Sequence, residues 1–163
     1  MKKDLNRPIL LTTAALAIRH ARPKDKPAWL RLRRALWPKC SEHKHALEIS
    51  QLLKSQGAVF LAENGVGKLI GFAEVSLRHD HVDGASISPV PYLEGWFVDR
   101  AFRKQGLGRK LMSAVEQWAT SHGYSELASD AETQNLLSIR LHKRLGFCEI
   151  DRNVTFLKVL RKP

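Results

Sequence analysis

The chain has 163 residues, 44% of them apolar and 26% charged. These proportions fit one domain around one core and exclude a disordered or collagen-like chain. The formal net charge of +11 is uneven, at +9 over residues 1–60, −4 over 61–99 and +6 over 100–163. A basic chain suits an anionic partner such as a nucleic acid or a phosphorylated cofactor, whereas the acidic middle favours a cation. No apolar run is long enough to span a bilayer. Cys40 and Cys148 lack metal-ligand spacing and a CxxC pattern, which suits the reducing cytoplasm.

In chain order, Met1-Lys2-Lys3 and the stretch from Pro8 to Ala17 have the outline of a weak secretory signal, interrupted by Asp4, Asn6 and Arg7. We read residues 1–16 as an upstream extension and 17–163 as a single domain. Residues 17–20 suit a short first strand. Asp25 is placed to cap a helix beginning near Pro27, with Trp29, Leu32, Ala35 and Leu36 on one side and Pro38 ending it. Ser41 is placed to cap a second helix carrying Leu47, Leu52 and Leu53, stopped by Gly57. Residues 58–62 and 68–77 read as strands about the turn 64–67, and a loop with Asp80, Asp83, Gly84, Pro89 and Pro91 follows. Glu74 and Asp80 are candidates for an acidic pocket or for surface cover. Residues 92–98 read as a central strand and 106–122 as a helix with Leu107, Leu111, Val115 and Trp118 at helical spacing. A short strand over 125–129, a helix over 134–145 and a closing strand over 147–159 complete a mixed α/β sheet.

Arg103-Lys104-Gln105-Gly106-Leu107-Gly108 follows the central strand and opens the helix. Glycines admit close approach of a phosphate, and the free N–H groups of a helix N-terminus bind anions. With Arg103, Lys104 and Arg109 adding charge, the expected ligand is a pyrophosphate. Strand 92–98, Arg103-x-x-Gly106-x-Gly108, and Asn135 leading to Leu141-His142-Lys143-Arg144-Leu145-Gly146-Phe147 resemble the GNAT superfamily of N-acetyltransferases, over nearly the whole chain from residue 17. The resemblance implies a central twisted sheet flanked by helices. It also implies a groove between splayed strands where the loop holds acetyl-coenzyme A. There Trp96, Phe97 and Val98 offer backbone groups, Gln105, Leu107 and Arg109 belong to the loop, and Asn135 touches the coenzyme A arm.

Five further blocks, Leu36-Trp37-Pro38, Arg78-His79-Asp80, Ser88-Pro89-Val90, Leu93-Glu94-Gly95 and Ala128-Ser129-Asp130, are similar to the aminoglycoside 6'-N-acetyltransferases. By that resemblance Trp37, His81, Glu94, Asp130 and Asp151 line the aminoglycoside site. His81 stands where relatives usually have tyrosine and Asp151 where they tend to have glutamate. The resemblance also implies a homodimer, with the segment from Arg78 to Val82 reaching the neighbour's site.

Attack on a thioester requires a neutral amine. A lysine-like amine with a pKa of about 10.4 is neutral only ~0.04% of the time at pH 7, a handicap of roughly 4.6 kcal/mol. A carboxylate beside the amine holds the ammonium and passes its proton to water, a role that suits Glu94 and Asp130. The backbone N–H of Val98 is the candidate oxyanion donor. His142, where many members of the superfamily have tyrosine, is a candidate proton donor to the leaving thiol or a packed helix-face residue. The reaction requires no metal. Transfer to another amine, on a polyamine, an aminoacyl-tRNA or a protein, is the alternative that the basic charge suits. A non-catalytic acetyl-coenzyme-A-binding module is a further one.

Overall fold

The computed structural model describes residues 16–160. The expectations for residues 1–15, as signal or extension, lie outside the described residues. Strand β1 spans Ala17–His20, and helices α1 (Lys26–Leu36) and α2 (Glu42–Leu52) follow. Strands β2 (Ala58–Glu63), β3 (Leu69–Arg78) and β4 (Val90–Val98) form the centre, and α3 (Leu107–Ser121), β5 (Ala128–Ser129) and α4 (Leu136–Arg144) complete the order. The sheet runs β1-β2-β3-β4-β5. Pairing is antiparallel through β4, while β5 joins β4 in parallel through only two registers, Tyr92 with Ala128 and Leu93 with Ser129.

The two faces of the sheet carry separate cores. On one, Ile70, Ala73, Val75 and Leu93 pack against Leu107, Leu111, Met112 and Val115 of α3, with Trp96, Val98 and Phe147 around them. On the other, Leu61 and Phe72 pack against Trp29 and Leu32 of α1 and Ile49 of α2, with Trp37 and Phe97 at the margin. The helical spacing of the apolar residues in α1 and α3 produces these buried stripes.

Several local expectations are corrected. Asp25 stands at the N-cap of α1 but makes no side-chain cap bond. Its carboxylate instead accepts from both terminal nitrogens of Arg19, at 2.8 and 2.9 Å, and from the Arg22 N–H. Arg19 thereby ties β1 to the start of α1, and it holds the Asp25 carboxyl below its ordinary range. Ser41 does cap α2, accepting from the Lys44 N–H at 3.2 Å. The buried face of α2 carries His45 and Ile49, while Leu47 is exposed. The anticipated strand over 147–159 has no regular structure and is exposed through most of its length. Strand-forming side chains need a ladder partner, and none is formed for them within the described residues.

Candidate active site

The register of β3 against β4 shifts at one point. Glu74 pairs with Gly95 and Val75 with Leu93, which leaves Glu94 as the extra residue of a bulge. A bulge re-aims the strand beyond it and reverses which face each side chain meets. Leu93 therefore belongs to the α3 face. Gly95, two residues on, meets the α1 face, where an added Cβ would come within 2.4 Å of Trp37 Cη2. Only glycine lets the Trp37 indole lie against β4 at this point.

Glu94 is held by three bonds. Ser76 Oγ donates to Oε1 at 2.6 Å, Arg78 Nε donates to Oε1 at 3.0 Å, and Arg78 Nη2 donates to Oε2 at 2.8 Å. A carboxylate offers about four lone-pair positions, so one position on Oε2 stays open. The Arg78 guanidinium lies 3.2 Å above the centroid of the Tyr92 ring. The Tyr92 hydroxyl donates to Asp130 Oδ1 at 3.0 Å, and burial followed by the Asp130 charge pushes that phenol up to about 12. Glu94 and Asp130 are thus joined through Arg78 and Tyr92. Ser76, Arg78 and Tyr92 in these roles were not recognised from sequence. Alternation along β3 from Glu74 supplies the signal for Ser76 and Arg78.

A cleft of about 1100 Å³ runs beside this cluster. It is lined among others by Arg78, His81, Tyr92, Asp130, His142 and Asp151. His81 is exposed and faces Asp83 at 3.2 Å. Asp151 is exposed, and its Oδ1 accepts from the Arg152 N–H. Asp80 lies on the exposed loop, whereas Glu74 is neither a pocket residue nor surface cover. It is 1% exposed and bound to Trp29 Nε1 at 2.6 Å and Arg33 Nη1 at 3.0 Å.

The opposite face carries the groups expected at the cofactor. The β4–β5 ladder ends at Leu93 and Ser129, so β4 has no strand on that side from Glu94 onward. The Asp99 N–H donates to Ile70 O at 2.7 Å. By antiparallel alternation the N–H groups of Trp96 and Val98 then turn away from β3, toward the open side. Arg103 Nε donates to Val98 O at 2.9 Å. Lys104 and Gly106 take left-handed φ values of 62° and 77°, and Gly106 opens α3 with no side-chain cap. The first N–H groups of a 15-residue helix are thereby left for a ligand, beside Lys104 and Arg109. An open backbone edge, an uncapped helix start and adjacent cations fit the pantetheine arm and pyrophosphate of coenzyme A.

Gly108 has a further role that the sequence did not announce. An added Cβ would meet Trp96 Cζ2 at 2.9 Å, and Trp96 Nε1 donates to Gly108 O at 3.1 Å. Asn135 caps α4, its Oδ1 accepting from the Ser138 N–H at 3.1 Å. The His142 ring lies edge-on to Trp96 and Phe147, with centroids 5.8 and 5.1 Å away. Its Nδ1 lies 2.8 Å from Ser138 O and its Nε2 3.1 Å from Ser129 Oγ, where the ladder ends. Cys40, His45 and Glu48 bring ligand-type atoms within 4.8 Å of one another. Arg33 donates into both His45 and Glu48, so a guanidinium already satisfies that cluster.

Residues 24–147 match the model of the acetyltransferase (GNAT) family. Two relatives carry the name aminoglycoside N(6')-acetyltransferase type 1. The one from Stenotrophomonas maltophilia is 42% identical over 90% of this chain and 95% of its own length. The one from Serratia marcescens is 45% identical over 82% and 92%. Among solved structures, aminoglycoside acetyltransferase AAC(6')-Iy with a bisubstrate analogue superposes with a TM-score of 0.83 at 37% identity, covering 90% of this chain and 99% of that one. AAC(6')-Ih from Acinetobacter baumannii gives 0.82 at 35% identity, covering 90% and 100%. With the splayed sheet and the open start of α3, these likenesses make the chain a member of the GNAT acetyltransferase family, among the aminoglycoside N(6')-acetyltransferases, enzymes dependent on acetyl-coenzyme A.

Proposed function

We propose that this chain transfers the acetyl group of acetyl-coenzyme A to the 6'-amine of aminoglycosides of the kanamycin and tobramycin type, and so confers resistance to them. The observation that carries this reading is the pair Glu94 and Asp130, joined through Arg78 and Tyr92 at the point where β4 parts from β5, with Trp37 against the adjacent Gly95. A polycationic drug needs local carboxylates, because the field of a +11 chain opposes it at long range. Relatives named for the same reaction support it.

Acetyl-coenzyme A supplies the activated acyl group when bound. Arg103, Lys104, Gln105, Gly106, Leu107, Gly108 and Arg109 would hold its pyrophosphate, and Trp96, Phe97 and Val98 its arm. Asn135 serves indirectly by capping α4. The open position on Glu94 Oε2 takes the drug ammonium, or a water that carries its proton away, without displacing Arg78. Asp130 holds a second drug amine, with His81 and Asp151 at the cleft rim and Trp37 against a sugar ring. The Val98 N–H is the donor for charge building on the acyl oxygen. As an imidazolium, with its Nδ1–H held by Ser138 O, His142 supplies the Nε2 proton to the departing thiolate and is left neutral.

The homodimer belongs to the same proposal. Val154, Phe156, Leu157, Val159 and Leu160 are all more than three-quarters exposed. A second copy that pairs with residues 147–160 covers them and brings the loop from Arg78 to Val82, which also lines its own cleft, toward the neighbour's. No helix among the described residues is long and apolar enough to cross a membrane, and the free thiols of Cys40 and Cys148 support action in the cytoplasm. The test is mass spectrometry of kanamycin incubated with protein and acetyl-coenzyme A. One acetyl group on the 6'-nitrogen is expected, with drugs carrying a 6'-hydroxyl left poor substrates. Acetylation on another ring, or of transfer RNA or protein alone, overturns it.

A further inference from the structure

Four charged or polar side chains beneath the α1 face serve no step above. Arg33, His45 and Glu74 are 4%, 0% and 1% exposed, and Glu48 stands half-buried beside them. Arg33 donates to Glu74 Oε2 at 3.0 Å, to His45 Nδ1 at 3.3 Å, and to Glu48. Because the Arg33 Nε–H donates to Nδ1, that nitrogen is the acceptor. The neutral imidazole therefore carries its proton on Nε2, which donates to Trp37 O at 3.3 Å. The bonds of the cluster converge on Trp37. Its backbone N–H donates to Arg33 O at 2.8 Å at the end of α1, its ring lies 4.8 Å from the Arg33 guanidinium, and His45 stacks on it at 6.4 Å.

A buried ion pair is a poor source of stability compared with apolar side chains of equal volume. Trp29 is the fully buried tryptophan of this core, while Trp37 is only half-buried at its margin against Gly95. We propose that Arg33, His45 and Glu74 are positioning residues for Trp37, fixing its indole against Gly95 and so setting affinity for the aminoglycoside. The proposal rests on the reading of Trp37 as a drug contact.

Steady-state kinetics of the full chain with kanamycin decide it. In His45→Leu, drug KM rises roughly five- to tenfold, while kcat and the KM for acetyl-coenzyme A stay within about twofold. His45→Gln keeps an acceptor for Arg33 and a donor for the Trp37 carbonyl, and it recovers most of the loss. Should His45→Leu fail to fold, Glu48→Gln makes the same test from the half-exposed end of the Arg33 fork. Neither substitution raises drug KM further in a Trp37→Ala background. An equal rise with and without Trp37 overturns the proposal and leaves the role of Trp37 intact. Unchanged drug KM in both variants, or matching losses in kcat and cofactor KM, also overturns it. Wild-type drug KM in Trp37→Ala itself removes Trp37 from the drug site, and the proposal with it.

Discussion

Arg78 grips both oxygens of Glu94, at 3.0 and 2.8 Å. The carboxylate proposed to receive a substrate cation already holds a resident one. Replacing Glu94 with Gln removes the charge and frees Arg78 to repel the drug. We expect drug KM to rise about ten- to a hundredfold, since charge-assisted contacts contribute on the order of 1.5–3 kcal/mol. Asp130→Asn is expected to do the same to a smaller degree, because the Tyr92 hydroxyl still finds an acceptor. The KM for acetyl-coenzyme A should stay put in both. A lowered kcat and a changed pH profile in Glu94→Gln mark it as the proton relay; a pure rise in KM marks it as a binder. Wild-type drug kinetics in both variants would falsify the placement of the acceptor site.

Gly108→Val is a compromised probe of the phosphate loop, since its side chain is driven against Trp96 as well as toward any ligand. Charge removal separates the two effects. Lys104→Ala with Arg109→Ala is expected to raise the KM for acetyl-coenzyme A at least about tenfold with the melting temperature nearly unchanged, as exposed charges contribute little to stability. Unaltered cofactor KM in this double variant would move the pyrophosphate elsewhere.

Burial pushes the Glu74 carboxyl up to about 7 against the pull of Arg33 and the Trp29 indole. The folded-state value thus lies above the unfolded one near 4.5. Between these values the folded chain holds a proton that the unfolded chain has released, so stability falls as pH rises through that window. Chemical denaturation at about pH 5 and about pH 7 should show this fall in the wild type and a weaker one in Glu74→Gln. Identical slopes in the two proteins would mean that Glu74 does not titrate there.

Phe156 and Leu160 are 89% and 76% exposed. On the proposed dimer, Phe156→Glu with Leu160→Glu should shift sedimentation toward monomer and lower turnover. A wild-type protein that sediments as a monomer at assay concentration with full activity contradicts the dimer.

Features that depend on neighbouring residues were legible in the sequence. The Ser41 cap, the start of α3 after Gly106, and the strand at Ala17–His20 follow from turn chemistry and local periodicity. The resemblance supplied Glu94 and Asp130, which Arg78 and Tyr92 join, and Trp37, which lies against Gly95. The bulge at Glu94 was not legible, because parity is a property of the ladder with β3 and not of either strand. Leu47, singled out in α2 as apolar, is exposed, while His45, bound to Arg33 twelve residues earlier, is buried. Residues 147–159 have the composition of a strand, yet strand formation depends on a ladder partner, and the described residues form none for them.

The single extra residue at Glu94 has a consequence for how drug resistance by this protein can diversify. On the proposed placement it turns Glu94 toward the acceptor while the strand beyond it offers backbone groups to the acyl donor, with His142 lining the cleft where the two meet. Substitutions in α1, α2 and the loop after Arg78 can retune which drug is accepted while the donor groove is left alone. An insertion or deletion between Leu93 and Gly95 would instead exchange the faces of everything beyond it, removing both activities in one step.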